Sequence, residues 1–539
     1  MRYADRFGNY LTDEYNDAER AAAKSELAAL NALDRTKLSA TDRIAYEVFA
    51  YDREQTLKGL TPEILALTEV RPINHFFGFH TFYPTLASGK SGIPYASVLD
   101  YDNSLKRHAE YVALIDRSIA KFREGQKSGV VETKLTIRNV IEQLNTQLAT
   151  PAEQSPYWEP IAKLPESFSA QDKARLTAQY REMIAGQIYP VHQRLRDYLR
   201  DDYLATARDT VGLSQMKGGA ALYGQMIESS TTLPLTAVYL HKLGLSEVAR
   251  IKKSMEQVKR EVGFKGTLPA FFNFIRTDPK FKRQSREELT QRYYDIGKLV
   301  DAKVGDYFSV LPKTPLKILP YEEFREKFEA GGSYQSGTAD GARPGIFYFN
   351  AYDLPSRTTP GEVTLYLHEG APGHHFQISL AQENAALPAF MRFGGNTAYS
   401  EGWALYAETL GYPMGLYKDP YSRFGTLGDE MLRAMRLVVD TGLHSKGWTR
   451  DQSIEYMLAN SEIGRTDATA EVERYIAIPT QALAYKVGAL TIQRLRAKAE
   501  KALGKRFDIR AFHTQVLDTG ALPMPVLEKT IDDWIAGQR

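Results

Sequence analysis

Apolar residues recur three or four apart through most of this chain, and that pattern limits the fold more than any other feature. DAERAAAKSELAALNAL, SVLDYDNSLKRHAEYVALIDRSIAKFREG and TKLTIRNVIEQLNTQLA each set an apolar stripe between charged positions at helical spacing. So do DKARLTAQYREMIAGQIYPVHQRLRDYLRDDYL and SEVARIKKSMEQVKREVG. Strand-like runs are confined to 307–352, where YFSVLP, LKILPYE and GIFYFNAY cluster around GGSYQSGTADGARPG, a loop rich in glycine and serine. The expected fold is mainly α with a small β-sheet. A helical N-terminal part would span 1–300 and a second part 301–539. No obvious linker separates them, so one shared core is also consistent with the pattern.

At 539 residues the chain is long enough for a large core. Its 68 basic and 66 acidic residues nearly cancel, and no long block of one sign stands out. That balance argues against a nucleic-acid partner or a polybasic membrane contact. Cysteine is absent, which excludes disulfides, thiolate metal sites, iron–sulfur clusters and a cysteine nucleophile. Any metal must be held by His, Asp and Glu. No apolar run approaches the roughly 18 residues of a transmembrane helix. The first twenty residues are polar and lack the apolar core of a signal peptide. The protein is therefore expected either in the cytoplasm or, with a signal removed ahead of this numbering, in the periplasm or cell envelope. The lack of cysteine tilts the expectation towards export.

LYLHEGAPGHHFQ, residues 365–377, holds three of the ten histidines. In a zinc site of the form H-E-x-x-H, the two histidines lie one turn apart on one helical face, and the glutamate accepts a proton from water. Here the pattern is H-E-x-x-x-x-H-H. On a regular helix His374 would point away from His368, and His375 would sit about 10 Å further along the axis. A regular helix is not expected, because Gly370, Ala371, Pro372 and Gly373 lie between them. A bulge absorbing two residues would bring His374 to the place of the second ligand and send His375 towards a ligand or the substrate. His374 is preferred on this geometry, with His375 as the alternative.

A catalytic zinc takes a third protein ligand and keeps a position for water. AYSEGWALYAETLG, residues 398–411, supplies Glu401 as that ligand, on a helix capped by Ser400 or Thr397. Glu408, two turns on, is placed to hydrogen bond a ligand histidine. Glu369 is the expected general base, and the expected cofactor is one zinc ion, for which cobalt or manganese could substitute.

HEGAPGHHFQ, SEGWALYAE, VVDTGLHSKGWT and RYIAIPTQALAYKVG, with TTLPLTAVYLHKLGLSEVARI upstream, together resemble the bacterial family called domain of unknown function 885. Its members look like zinc metallopeptidases of the gluzincin kind, distantly similar to thimet oligopeptidase and thermostable carboxypeptidase. The resemblance implies a large helical fold with a deep cleft, the zinc helix at its base and the small sheet beside it. It implies His368, His374 and Glu401 as ligands and Glu369 as base. It also favours a processed cell-envelope protein, since many members are exported or are lipoproteins.

Further expectations concern the substrate. Tyr475, then Tyr485, is expected to stabilise the oxyanion. Arg474 and Lys486 are candidate substrate contacts. Asp440 and His444, at i and i+4, are expected either to leave His444 as a proton donor or to form a structural pair. DGARPGIFYFNAY is read as a loop and an edge strand that a peptide could extend. Arg343 would meet a substrate carboxylate there and Asn350 its backbone, under a lid containing Gly331, Gly332, Gly337 and Gly341. The expected activity is zinc-dependent hydrolysis of short peptides, with a carboxypeptidase included if Arg343 or another cation reads a terminal carboxylate. The rival readings are hydrolysis of non-peptide amides or esters, and a non-catalytic peptide-binding protein of the cell envelope.

Overall fold

The helical periodicity becomes helices almost everywhere it occurs. The computed structural model describes residues 3–90, 93–323, 326 and 329–538. Among these, helices dominate and three short strands form a single sheet. The longest helix, Val98–Ser128, shows how the ends are set. Ser97 and Asp100 form a capping box at its start, and Gly129, at φ 77°, ends it in the left-handed region. The stretch from Ala170 to Tyr203 stays helical through two π segments, Ile184–Ile188 and Leu199–Tyr203. The first lies just ahead of Pro190, whose missing N–H interrupts the regular ladder.

The core is built from helix pairs. Ala237–Glu261 lies along Pro420–Lys446, where Gly244 sits against Leu437 and Val438. Thr397–Leu410 crosses Gln481–Leu503 at Gly402 and Gly488, so closely that a Cβ at Gly488 would collide with the carbonyl oxygen of Ala398. One apolar cluster, from Ile73 to Ala207, belongs wholly to the N-terminal helices. Two others draw residues from both sides of residue 300, joining Leu289–Val304 to Trp403 and Ile492, and Val248–Phe281 to Phe424–Ile476.

The sheet contains β1 (Leu316–Pro320), β2 (Gly332–Gln335) and β3 (Gly345–Phe349), in the order β1-β3-β2. β1 runs parallel to β3 and β2 antiparallel. Two sequence expectations are corrected here. GIFYF is the central strand, not an edge, and part of the expected lid, Gly332–Gln335, is one of the two edge strands. Its Tyr334 is tied down by hydrogen bonds to His375 and Ser379, a long-range anchor that local glycine content does not reveal. YFSVLP forms no strand. Phe308 packs against Phe376 and His513, while Val310 and Leu311 remain exposed without a strand to pair with.

Gly488→Ala is expected to destabilise the fold by about 1–3 kcal/mol, the usual cost of forcing an atom into a filled contact. Equilibrium unfolding in urea measures it. An unchanged midpoint would show that the two helices have room to part.

Candidate metal centre

The histidine motif is two helices rather than one bulged helix. Glu362–Glu369 ends at Gly370, and His374–Glu383 begins after Gly373. Between them the Ala371–Pro372 peptide bond is cis. A Cβ at Gly373 would strike the carbonyl oxygens of Leu367 and His368, so the second helix starts directly against the end of the first. Trp403 closes the joint by donating its indole N–H to the Pro372 carbonyl at 2.9 Å. His374, the first residue of the second helix, is thereby returned to His368, and the two ring centroids are 4.9 Å apart.

Glu401 completes the cluster. Its Oε2 lies 3.6 Å from His368 Nε2 and 3.4 Å from His374 Nε2. One donor atom from each of the three residues falls within 4.8 Å of the others. Glu401 stands on Thr397–Leu410, whose cap is Asn396, accepting from the Tyr399 N–H, rather than Ser400 or Thr397. On the far side of His368, Nδ1 is 2.7 Å from Glu408 Oε1. A carboxylate can only accept, so Nδ1 donates to Glu408 and Nε2 is the nitrogen left to face a ligand. Arg433 Nη2 lies 3.6 Å from the same Glu408 oxygen.

The cluster attracts positive charge. Burial alone would depress His368, but contacts with Glu401 and Glu408 and the nearby Glu369 charge raise its pKa to about 10. Burial would likewise raise Glu401, yet the two imidazoles hold it well below the usual carboxylate range. The donors and the charge both fit a divalent cation: two imidazole nitrogens and one carboxylate oxygen, with further acids close by. Glu369 follows His368 directly, is only 8% exposed, and makes no hydrogen bond among the described residues. His374 and Glu401 keep 14% and 20% of their side-chain surface, so the cluster is reachable from solvent.

Other residues singled out in the sequence lie elsewhere or are already engaged. His375 faces the sheet, with Nδ1 3.0 Å from the Tyr334 hydroxyl, and burial lowers its pKa to about 4. Asp440 and His444 do not bond to each other. Asp440 accepts from Tyr223 and from the Thr480 N–H, while His444 accepts from the Leu213 N–H and donates to the Tyr475 carbonyl. Tyr475 is fully buried, its hydroxyl held by Glu471 and Arg436. Lys486 is buried between Glu430 and Glu247, at 2.7 and 2.9 Å. Asn350 spends its amide N–H groups on the carbonyls of Glu326, Glu329 and Ala330. Arg343 is exposed in the connection between β2 and β3. Arg474 and Tyr485 remain together, Nη2 to hydroxyl at 3.4 Å, and Tyr485 packs on Leu405, one turn beyond Glu401.

The sequence reading missed Arg433, Arg436, Glu471 and Gln481. Only one signal pointed to the two arginines: with Asp429 and Asp440 they mark one face of the helix Pro420–Lys446.

A large, mainly helical protein with a two-histidine, one-glutamate cluster at the joint of two short helices is the class that fold and site define. The chain belongs to the family described as "Bacterial protein of unknown function (DUF885)", whose model matches residues 1–531. It is similar to a crystal structure of a protein from Colwellia psychrerythraea, named there a "putative lipoprotein". That protein is 30% identical with a TM-score of 0.90, and the match covers 99% of this chain and 93% of that one. A second solved protein, from Shewanella oneidensis and named a "putative lipoprotein of unknown function", shares the fold. It is 17% identical with a TM-score of 0.71, and the match covers 98% of this chain and 94% of that one. No curated protein matches the chain. No described helix is long and apolar enough to cross a membrane.

The raised His368 pKa has a measurable consequence. The folded value of about 10 lies above the ordinary value of 6.5, so the metal-free protein gains stability that is full below pH 6.5 and lost as the pH rises through 10. A metal must displace that proton, so its affinity rises over the same range. Melting temperatures at pH 6.5 and 8.5, with and without zinc, should show a larger zinc-induced increase at pH 8.5. An increase that shrinks with pH would contradict the assignment.

Proposed function

We propose that the protein is a metal-dependent peptidase of the cell envelope, with zinc held by His368, His374 and Glu401 and with Glu369 as general base. The observation that carries this reading is Glu369 itself. It is a buried carboxylate beside a ligand histidine, and its side chain has no hydrogen-bond partner among the described residues, while Glu408 and Glu471 are both engaged. A structural metal site has no use for such a group, whereas hydrolysis needs one to take a proton from water and return it to the leaving amine.

Three protein donors match the ligand count of catalytic zinc sites, which keep a position open. Bound there, zinc would supply Lewis acidity to polarise a carbonyl and lower the pKa of water. Glu408 fixes the tautomer of His368, and Arg433 and Asp429 stand behind it. Of the two tyrosines, Tyr485 suits the oxyanion better. Its oxygen accepts from Arg474, leaving its proton to donate, whereas the Tyr475 proton is already given to Glu471.

The turn between the histidines accounts for their long spacing. The outer edge of β2 lies beside the ligand helix, where Gly332 approaches Leu365, and it offers main-chain groups to an extended peptide. A cleft between this edge and the Arg474 side would favour short peptides over folded proteins. The name given to the Colwellia relative supports the cell-envelope location.

Glu369→Gln should keep its metal and lose about 10²–10⁴-fold in peptide turnover. Mass spectrometry of a peptide mixture incubated with zinc-loaded wild type and variant tests this. Equal cleavage by both would remove Glu369 from the chemistry. Turnover confined to esters or non-peptide amides would keep the site and change the substrate.

A further inference from the structure

Two arginines face one glutamate near the metal centre. Arg436 takes Glu471, with Nε and Nη2 at 3.2 and 3.0 Å from Oε2. The Tyr475 hydroxyl donates to that same oxygen. Arg474 keeps only a 3.6 Å contact with the other oxygen. The surplus positive charge therefore falls on Arg474, which is also the more open of the two, with 22% of its side-chain surface exposed against 6% for Arg436.

Arg474 is held in place by its neighbours. Its Nη2 donates to Gln481 Oε1 at 2.5 Å and reaches the Tyr485 oxygen at 3.4 Å. With its oxygen occupied, Gln481 has an amide NH₂ with no partner among the described residues. A planar cation and an amide donor thus stand side by side, an arrangement that suits the two oxygens of a carboxylate. Through Tyr485 the pair lies against Leu405, about 6 Å along the helix axis from Glu401. That contact puts the pair on the side of the cluster that the Glu401 helix supplies.

We propose that Arg474 and Gln481 form a carboxylate-binding subsite for the residue that follows the scissile bond. The carboxylate is either the peptide's C-terminus or an acidic side chain. The subsite rests on the peptidase reading and gives it a substrate class, peptides with a carboxylate just beyond the cleaved bond. Arg474 takes the role first assigned to Arg343, which is exposed in the hairpin connection. Tyr485 holds Arg474 while its own proton stays available to the reacting carbonyl.

Matched peptides ending in a free acid, an amide, or an amidated Glu or Gln separate the two sources of the carboxylate. Cleavage is measured with zinc-loaded wild type, Arg474→Gln and Arg474→Lys, and binding by calorimetry to Glu369→Gln with and without Arg474→Gln. Wild type should prefer the carboxylate peptide on the order of 10–100-fold, and Arg474→Gln should lose that preference. Arg474→Lys should keep part of it. The ratio does not depend on how much of a preparation is folded, and metal content confirms the fold of each variant. Equal use of acid and amide by wild type, or an unchanged ratio in Arg474→Gln, would overturn the subsite. If nothing is cleaved but Glu369→Gln still prefers the carboxylate, the subsite stands and the peptidase reading fails. Neither cleavage nor binding would remove both.

Discussion

The reversal of the chain between Glu369 and His374 is the constraint on which the metal cluster depends. A continuous helix would send the two histidines to opposite faces. Two helices abutting at a four-residue turn bring them together, and that turn tolerates no side chain at Gly373, because two backbone carbonyls occupy the space. Trp403 bonds the turn from the next helix, and that helix also carries Glu401. Glu401 and the clamp on the two histidines therefore belong to one rigid element. Its own position is set by the close crossing of Gly402 and Gly488.

Buried charge is organised in layers around this joint. Glu401 and Glu408 draw positive charge to His368, and Glu369 adds to the same field. Behind them the helix Pro420–Lys446 presents Asp429, Arg433, Arg436, Asp440 and His444 at intervals of three or four residues. Asp429 pairs with Arg433 on the same helix, and the other four reach different neighbours: Arg433 meets Glu408, Arg436 meets Glu471, Asp440 meets Tyr223 and Thr480, and His444 meets Leu213. Leaving one such partner unmatched would strand a charge or a polar group in the interior, so the network holds the surrounding helices in register. Arg474 has no hydrogen-bonded carboxylate among the described residues and keeps 22% of its side-chain surface, and that is what makes it available to a ligand.

The sequence carried the helices and the His368, His374 and Glu401 cluster because both are local signals. The 3.6-residue period survives in any single stretch, and two histidines and a glutamate declare their chemistry by type. Glu408 was legible for the same reason, two turns from Glu401 on one face. β2 was not, because GSYQ has little strand character of its own and is held by Tyr334 reaching His375, forty-one residues on. The fates of Tyr475, Lys486, Asn350 and His444 were hidden likewise. Only the fold reveals that Glu471, Glu430, the carbonyls of Glu326, Glu329 and Ala330, and Leu213 already hold them. Gln481, an uncharged residue at the start of a helix, gave no local hint of its place beside Arg474.

The central claim is that the turn, and not the helix beyond it, decides which histidine binds the metal. Elemental analysis of wild type, His374→Ala and His375→Ala tests it directly. Wild type should hold about one zinc per chain, retained in His375→Ala and lost in His374→Ala. Loss in His375→Ala alone, or no metal in wild type after zinc is supplied, would contradict it.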